Sequence, residues 1–202
     1  METAGRKIVG IGETVLDIVF RNGQPQAAVP GGSVFNAMVS LGRTVGRMQP
    51  GVQLVMASQM GNDAAPDLIE ENIALSDIVR GSDEDIDALY GSPDAERVYR
   101  EHISRLCPRF ICTRGAQPAF VFSPGVQESF PVPVLERVVS TIGAGDNFNA
   151  GIVCALVRGD FTRERLERLS AADWQRLVPT AMRFSAAVCG SLQNYVPEEF
   201  SL

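Results

Sequence analysis

The sequence predicts an α/β fold in which a mainly parallel sheet is flanked by helices on both faces. Short runs rich in β-branched residues alternate with segments of helical periodicity, which is typical of strand–helix–strand units. Glycine-rich turns directly precede two of the predicted helices, at residues 30–33 and 143–146. A length of 202 residues and an apolar content of 45% suit a single domain, spanning residues 1–202, with a sizeable core.

The first part of the chain begins with two strands and a helix. The strands are "KIVGIG" and "VLDIVF", which are separated by Glu13 and Thr14. The helix follows Gly31 and Gly32 and is predicted to begin near Ser33, which would cap it. A strand over "VQLVMAS" and a helix around "APDLIEENIAL" come next.

The rest of the chain continues the alternation and adds a hairpin. "SDIVRGS" and "RFICTRG" predict strands, with helices over "DEDIDALYG" and "DAERVYREHISRLC" between them. "AFVFS" and "ESFPVPVLERVV", separated by turn residues, predict the hairpin. The last predicted helices cover "AGDNFNAGIVCALVRG", "RERLERL" and "WQRLVPTAMRFSAAVCGSL".

Charge and cysteine usage exclude several classes of function. The net charge of −6 provides no general attraction to nucleic acid or to anionic lipid. The cysteines form no CxxC pair and His102 is the only histidine, which argues against a zinc site and a disulfide framework. No residue is assigned as a metal ligand. Reduced thiols are expected at all four cysteines, which are Cys107, Cys112, Cys154 and Cys189.

The sequence offers no targeting or membrane signal. Glu13 and Asp17 interrupt the apolar N-terminal segment, and a signal peptide would avoid such charges. The longest apolar run in the second half, "AGIVCALV", is too short to cross a bilayer. A cytoplasmic location is therefore expected.

The segment "STIGAGDNFNAG", residues 140–151, carries the strongest chemical signal. A helix start leaves N–H groups without partners, and Gly143 and Gly145 leave room for a phosphate to approach them. Asp146 cannot bind that phosphate, because like charges repel, but it could accept a proton from a hydroxyl that attacks phosphorus. This combination indicates a small-molecule kinase. For a bare GxGD pattern the favoured alternative is an ordinary turn whose aspartate stabilises the helix start.

Two other types of nucleotide site do not fit the sequence. No GxxxxGK[ST] pattern occurs, which excludes a P-loop. "GIGETVLD" lacks the third glycine of a dinucleotide-binding turn, and a strand follows where a helix is needed. A dinucleotide-dependent oxidoreductase is therefore rejected.

Three segments in order, "GETVLDIVF", "PGGSVFNAMVSLGR" and "STIGAGDNFNAGIVCAL", resemble the ribokinase-like (PfkB) carbohydrate kinases, and most closely their fructokinase-like members. Two motifs on either side of an α/β pattern are more specific than one motif alone. The resemblance implies a ribokinase-like fold with ATP and Mg²⁺ as cofactors. It also implies phosphoryl transfer to a hydroxyl of a neutral sugar, with fructose as the best single guess.

The resemblance also implies a role for individual residues of this chain. Asp146 would be the catalytic base, beside an anion hole formed by Gly143, Ala144 and Gly145. The residues that would bind the sugar are Asp17, Gly31, Gly32 and Asn36. The residues that would bind the nucleotide are Ser82, Asp85, Thr113, Gly115, Gly190 and Asn194.

Simpler structural explanations compete with some of these roles. An unpaired carboxylate in an apolar strand is costly, so a site role is favoured for Asp17. The glycine pair at residues 31 and 32 could form an ordinary turn, and Asn36 could be an exposed polar residue of its helix. Ser82 and Asp85 could be a helix cap with an acidic first turn.

Two features depart from the family pattern. Ser140 and Ile142 stand where the family often has an aspartate and a threonine, which puts dependence on a monovalent cation in doubt. After about residue 63 an internal block is missing that would contain further strands, the lid hairpin over the sugar and more strand–helix units. At about 30 residues each, the block corresponds to roughly three strand–helix–strand units. Residues 1–63 would then form the sugar-site part, and residues 64–202 the nucleotide-binding and catalytic part.

The missing block leaves two functions open. Without central strands the sheet would expose apolar faces and unpaired edges, which favours association such as a homodimer. Without the lid the sugar site would stay accessible to water. The chain is thus either an active sugar kinase or a shortened pseudokinase that binds nucleotide or serves as an assembly partner. The expected small-molecule partners are a sugar and ATP, and neither nucleic acid nor a membrane is expected.

Overall fold

The structure is a computed structural model that describes residues 6–49, 51–59 and 69–202. The chain divides into two compact units. The terminal unit comprises Met1–Asn62, Leu135–Val157 and Thr180–Leu202, and the middle unit comprises Asp63–Val134 and Arg158–Pro179. The predicted division near residue 63 coincides with a unit boundary, but the GAGD turn belongs to the same unit as residues 1–62. The assignment of one domain to residues 1–202 stays a prediction.

The described strands of the terminal unit form two pairs. Strand β1 (Lys7–Glu13) pairs in parallel with β4 (Gln53–Gln59). Strands β2 (Val15–Arg21) and β3 (Gln24–Gly31) form an antiparallel hairpin. The parallel pair is connected through a helix, as the alternating sequence pattern predicts.

Strands β1 and β2 expose large apolar side chains. Ile11 is 77% exposed, Phe20 62% and Leu16 61%. Within the described part of the chain, the β1–β4 pair and the β2–β3 pair are each two-stranded sheets without a further neighbour. Exposed apolar faces are the consequence expected from a sheet that lacks its central strands.

In the described part of the terminal unit there are three helices: α1 (Ser33–Met48), the part of α5 (Ala144–Arg158) up to Val157, and the part of α7 (Ala171–Cys189) from Thr180. Helix α1 begins at Ser33 as predicted, but the capping position belongs to Gly32 and no side chain caps the helix. The helices enclose a core composed of Leu41, Val45, Ala150, Cys154, Val157, Phe184, Val188 and Val196.

The backbones of α5 and α7 approach each other at Gly151. A Cβ atom at Gly151 would lie 2.4 Å from Ala181 Cα, whereas one at Gly46 in α1 would meet nothing within 4 Å. We therefore expect Gly151→Ala to lower the free energy of unfolding by about 1–3 kcal/mol through overpacking. Gly46→Ala should raise it by about 0.5–1 kcal/mol, because alanine loses less backbone entropy in a helix. Denaturant unfolding checks both values, and equal effects of the two substitutions would contradict the close approach.

The middle unit is built on a four-stranded sheet with the order β5-β6-β7-β8. Its strands are β5 (Val79–Ser82), β6 (Phe110–Arg114), β7 (Gln117–Ser123) and β8 (Val126–Phe130). β5 and β6 are parallel, whereas β6–β7 and β7–β8 are antiparallel. The described pairings of the chain are therefore mixed, and the predicted hairpin is confirmed as β7–β8. Its second strand ends at Phe130 rather than near residue 139, because the prolines at 131 and 133 have no N–H to donate.

The middle unit also contains short helices. They are α2 (Ile69–Leu75), α3 (Asp83–Tyr90), α4 (Ala95–Val98) and α6 (Arg163–Leu166), and α4 continues into a π-helical turn (Tyr99–Ile103). The helix predicted around "APDLIEENIAL" is confirmed from Ile69 onwards, while residues 64–68 lie outside the described residues. No helix of the described residues is long and apolar enough to cross a membrane.

Cysteine residues contribute to the core of the middle unit. Cys107 and Cys112 are free thiols that are fully buried, so both are core residues. They pack with apolar residues that include Phe110 and Phe122, whose rings stack 6.2 Å apart. Burial, and to a lesser extent the Asp83 carboxylate, raises the pKa of the Cys112 thiol from 9.0 to about 11.

The raised pKa of Cys112 makes stability depend on alkaline pH. Between pH 9.0 and about 11 the folded chain retains the thiol proton, whereas the unfolded chain loses it. The folded state then binds more protons, so the free energy of unfolding should fall as the pH rises through this window. Denaturant unfolding at several alkaline pH values should show a shallower fall for Cys112→Ala than for the wild type. Parallel curves for the two proteins would contradict this prediction.

Candidate active site

The GAGD turn places a glycine where no other residue fits. Gly143 has a φ of 80°, and a Cβ atom there would lie 2.6 Å from the Asn194 carbonyl oxygen. The Ala144 N–H donates to the Thr141 carbonyl at 3.2 Å, and the Asn147 N–H donates to the Gly143 carbonyl at 3.0 Å. The N–H groups of Gly145 and Asp146 lie in the first turn of α5, where N–H groups have no acceptor within the helix. These groups can receive an anion.

Asp146 contacts the other glycine-rich motif of the chain. Asn36 Nδ2 donates a hydrogen bond of 3.0 Å to Asp146 Oδ2, although the two residues are 110 positions apart. Asn36 is only 2% exposed, so its interpretation as an exposed polar residue was wrong. Asp146 is half-buried. The structure therefore brings together one residue predicted to bind the sugar and the predicted base.

Asn36 retains an unused acceptor. Its Oδ1 atom is buried and has no hydrogen-bond partner among the described residues. An unpaired buried acceptor costs free energy, so such an atom is a natural point of attachment for a hydroxyl or amine of a ligand.

Of the remaining predicted sugar-binding residues, Gly31 and Gly32 lie directly before α1, whereas Asp17 lies on β2. Gly31 is buried at the end of β3, and Gly32 has a φ of 106° and accepts the Asn36 N–H at 2.9 Å. A left-handed turn of this kind requires glycine, which explains the pair. Asp17 lies on β2 opposite Val29, and its side chain lies outside the described residues.

Sequence reasoning did not identify two buried polar residues next to this turn. Ser40 and Asn147 are each 0% exposed, and the Ser40 hydroxyl donates to Asn147 Oδ1. The only sequence signal was polarity on helix faces that are otherwise apolar, a pattern that by itself specifies no partner.

A cleft of about 580 Å³ opens beside the segment that follows α7. Its lining includes Arg43, Val139, Ser191 and Pro197, together with the predicted nucleotide residue Gly190. Arg43 donates to the Val196 carbonyl at 2.7 Å. Clefts of this volume commonly accommodate small molecules. Asn194 is buried and is not among the lining residues, and its carbonyl accepts from Asn147 at 2.8 Å.

The other predicted nucleotide residues belong to the middle unit. Ser82 and Asp85 form a reciprocal capping box at the start of α3, with hydrogen bonds of 2.8 and 3.0 Å, as the helix-cap alternative proposes. Thr113 accepts a hydrogen bond from Arg80 at 2.5 Å, and Gly115 follows in a left-handed turn with a φ of 54°. The nucleotide roles of these four residues stay predictions.

Comparisons with known proteins place the chain in a family. A model of the pfkB family carbohydrate kinases matches residues 28–197. A fructokinase from Rhizobium leguminosarum bv. trifolii is 34% identical over 112 residues, which are 54% of this chain and 32% of that protein. The matched region thus spans about a third of the length of this curated relative.

The fold is also similar to solved structures. A fructokinase from Vibrio cholerae O395, in its form bound to fructose, ADP and calcium, gives a TM-score of 0.73 at 14% identity, with 95% of each chain covered. An aminoimidazole riboside kinase from Salmonella enterica gives a TM-score of 0.68 at 17% identity, with 93% of this chain and 94% of the other covered. These likenesses confirm the ribokinase-like α/β fold. The chain belongs to the pfkB family of carbohydrate kinases.

Proposed function

We propose that this chain transfers a phosphoryl group from ATP to a hydroxyl of a neutral sugar, with fructose as the best single candidate. Membership of the pfkB family supports the reaction class. The observation that carries the proposal is the 3.0 Å contact between Asn36 and Asp146. It joins a carboxylate at the glycine-rich turn to an amide that can bind a polar substrate.

In this proposal Asp146 is the base that accepts the proton of the attacking hydroxyl. Asn36 Nδ2 holds Oδ2 of the carboxylate, which leaves Oδ1 free for that hydroxyl. The unpaired Oδ1 of Asn36 can accept a hydrogen bond from a second hydroxyl of the same sugar. Two neighbouring acceptors would thus orient a polyol with one hydroxyl directed at the phosphate turn.

The turn at residues 143–146 would hold the transferred group through the N–H groups of Gly145 and Asp146, assisted by the dipole of α5. The cleft lined by Gly190 is suited in volume to the base of the nucleotide. When bound, ATP supplies the phosphoryl group, and Mg²⁺ neutralises phosphate charge. No group of three metal-ligating side chains occurs among the residues that the structure describes, so Mg²⁺ would be held mainly by phosphate oxygens.

A second candidate is a chain that binds nucleotide or assembles with a partner but does not catalyse transfer. The exposed apolar side chains of β1 and β2, including Ile11, Leu16 and Phe20, favour this candidate because they are suited to association. Association into a homodimer is compatible with both candidates and is proposed here on the same apolar side chains.

ADP release from Mg-ATP across a panel of neutral sugars tests the proposal, with nucleotide affinity measured in parallel by calorimetry. Sugar-dependent ADP release supports the kinase. Nucleotide binding without any sugar-dependent turnover supports the second candidate. Light scattering of the same samples determines whether the chain is a dimer.

A further inference from the structure

We propose that Asn147 and Ser40 form a buried clamp that positions the phosphate-binding turn against the segment 194–196. The inference rests on the proposed function, because it assigns a use to the turn at residues 143–146. Both side chains bond to other residues of the chain, including the predicted nucleotide residue Asn194, and hold them in place, so both are positioning residues. The clamp would set the spacing between the anion hole and the nucleotide cleft.

The amide of Asn147 connects two backbone carbonyls. Its Nδ2 donates to the Gly143 carbonyl at 2.7 Å and to the Asn194 carbonyl at 2.8 Å. Both hydrogens of the amide nitrogen are therefore used, one on the phosphate turn and one on the segment that follows α7. No apolar side chain could hold two carbonyl oxygens this close together.

Ser40 completes the clamp from helix α1. Its hydroxyl donates to Asn147 Oδ1 and accepts the Val196 N–H at 3.0 Å. Ser40 and Asn147 are each 0% exposed, so water does not compete for these hydrogen bonds. Every polar atom of the two side chains is satisfied, and such fully connected buried networks hold one arrangement rigidly.

The clamp lies between two parts of the candidate site. On one side, a Cβ atom at Gly143 would lie 2.6 Å from the Asn194 carbonyl oxygen, which shows how closely the turn and the segment approach. On the other side, residues 190–193 and 197–199 flank the clamped segment and line the cleft of about 580 Å³. A shift of residues 194–196 would therefore move the cleft relative to the N–H groups of the turn.

Hydrogen–deuterium exchange and ADP calorimetry on Asn147→Ala and Ser40→Ala test the clamp. In both variants we expect faster exchange in peptides covering residues 140–147 and 190–198. We also expect an ADP affinity that is lower by about 10-fold or more, because displacement of residues 194–196 would disrupt the geometry of the cleft. Ser40→Ala is the milder change and stays informative if Asn147→Ala folds poorly.

Thr44→Val is the matched control, because Thr44 is also buried on α1 but its hydroxyl bonds only carbonyls of its own helix, those of Ser40 and Leu41. It should change neither the exchange of the two peptides nor the affinity for ADP. The clamp is refuted if Asn147→Ala and Ser40→Ala exchange like the wild type, or if Thr44→Val reproduces their effects. If the wild type binds no ADP, the proposed function fails, whereas the exchange data still decide whether the clamp exists.

Discussion

Asp146→Asn is expected to lower the kcat for sugar phosphorylation by about 10²–10⁴-fold, the range associated with loss of a general base. Asparagine has nearly the same shape as aspartate, and its carbonyl oxygen can still accept the hydrogen bond from Asn36 Nδ2. The geometry of the turn should therefore persist, and the affinity for ADP should stay close to that of the wild type. Steady-state kinetics and calorimetry measure the two effects separately.

Glu167→Gln is a suitable control for this experiment, because Glu167 is an exposed carboxylate distant in sequence from both glycine-rich motifs. It should retain wild-type turnover. If Asp146→Asn also retained it, Asp146 would be a residue that stabilises the helix start, which is the alternative that a bare GxGD pattern favours. A joint loss of turnover and ADP binding would indicate a damaged turn rather than a missing base.

Gly143→Ala is expected to weaken the binding of a non-hydrolysable ATP analogue, whose γ-phosphate the turn would hold, and to reduce stability. Alanine in a left-handed conformation costs about 1–2 kcal/mol by itself. At Gly143 the new methyl group would also lie 2.6 Å from a backbone carbonyl oxygen, so the turn or the segment at Asn194 must move. Movement of the turn removes the N–H groups from the positions that would receive a phosphate.

Gly23→Ala separates backbone strain from steric clash. Gly23 has a φ of 74°, similar to the 80° of Gly143, and a Cβ atom there would meet nothing within 4 Å. Thermal unfolding should show a loss of stability near the strain cost for Gly23→Ala and a larger loss for Gly143→Ala, and only the latter should impair binding of the ATP analogue. Equal losses of stability with intact binding of the ATP analogue would show that the turn does not depend on this close approach.

Local sequence patterns predicted most of the secondary structure. Helix α5 was predictable because its start carries glycines and an aspartate while its body is apolar, and the β7–β8 hairpin because turn residues separate two apolar runs. The errors lie where the patterns are ambiguous. The cap of α1 belongs to Gly32 rather than Ser33, and β8 ends where proline removes the backbone donor.

The sequence predicted a site residue only where the residue type and its immediate neighbours suggest a chemical role. Asp146 follows a glycine-rich turn, and that local pattern is sufficient to suggest a phosphate site. The burial of Asn36 and its contact with Asp146 depend on packing between segments 110 residues apart, which no local pattern encodes. The same holds for Ser40 and Asn147, because a polar residue in a helix shows its partner only once the fold is known.

In the proposed reaction the chain moves a phosphoryl group from ATP to a sugar hydroxyl. Incubation with fructose and with ATP that carries ¹⁸O in its γ-phosphoryl group, followed by mass spectrometry of the products, tests this most directly. We expect a fructose monophosphate that carries the label and that forms at least about 10²-fold more slowly in the Asp146→Asn reaction. Labelled inorganic phosphate alone, formed at the same rate with and without each sugar of the panel, would contradict the claim.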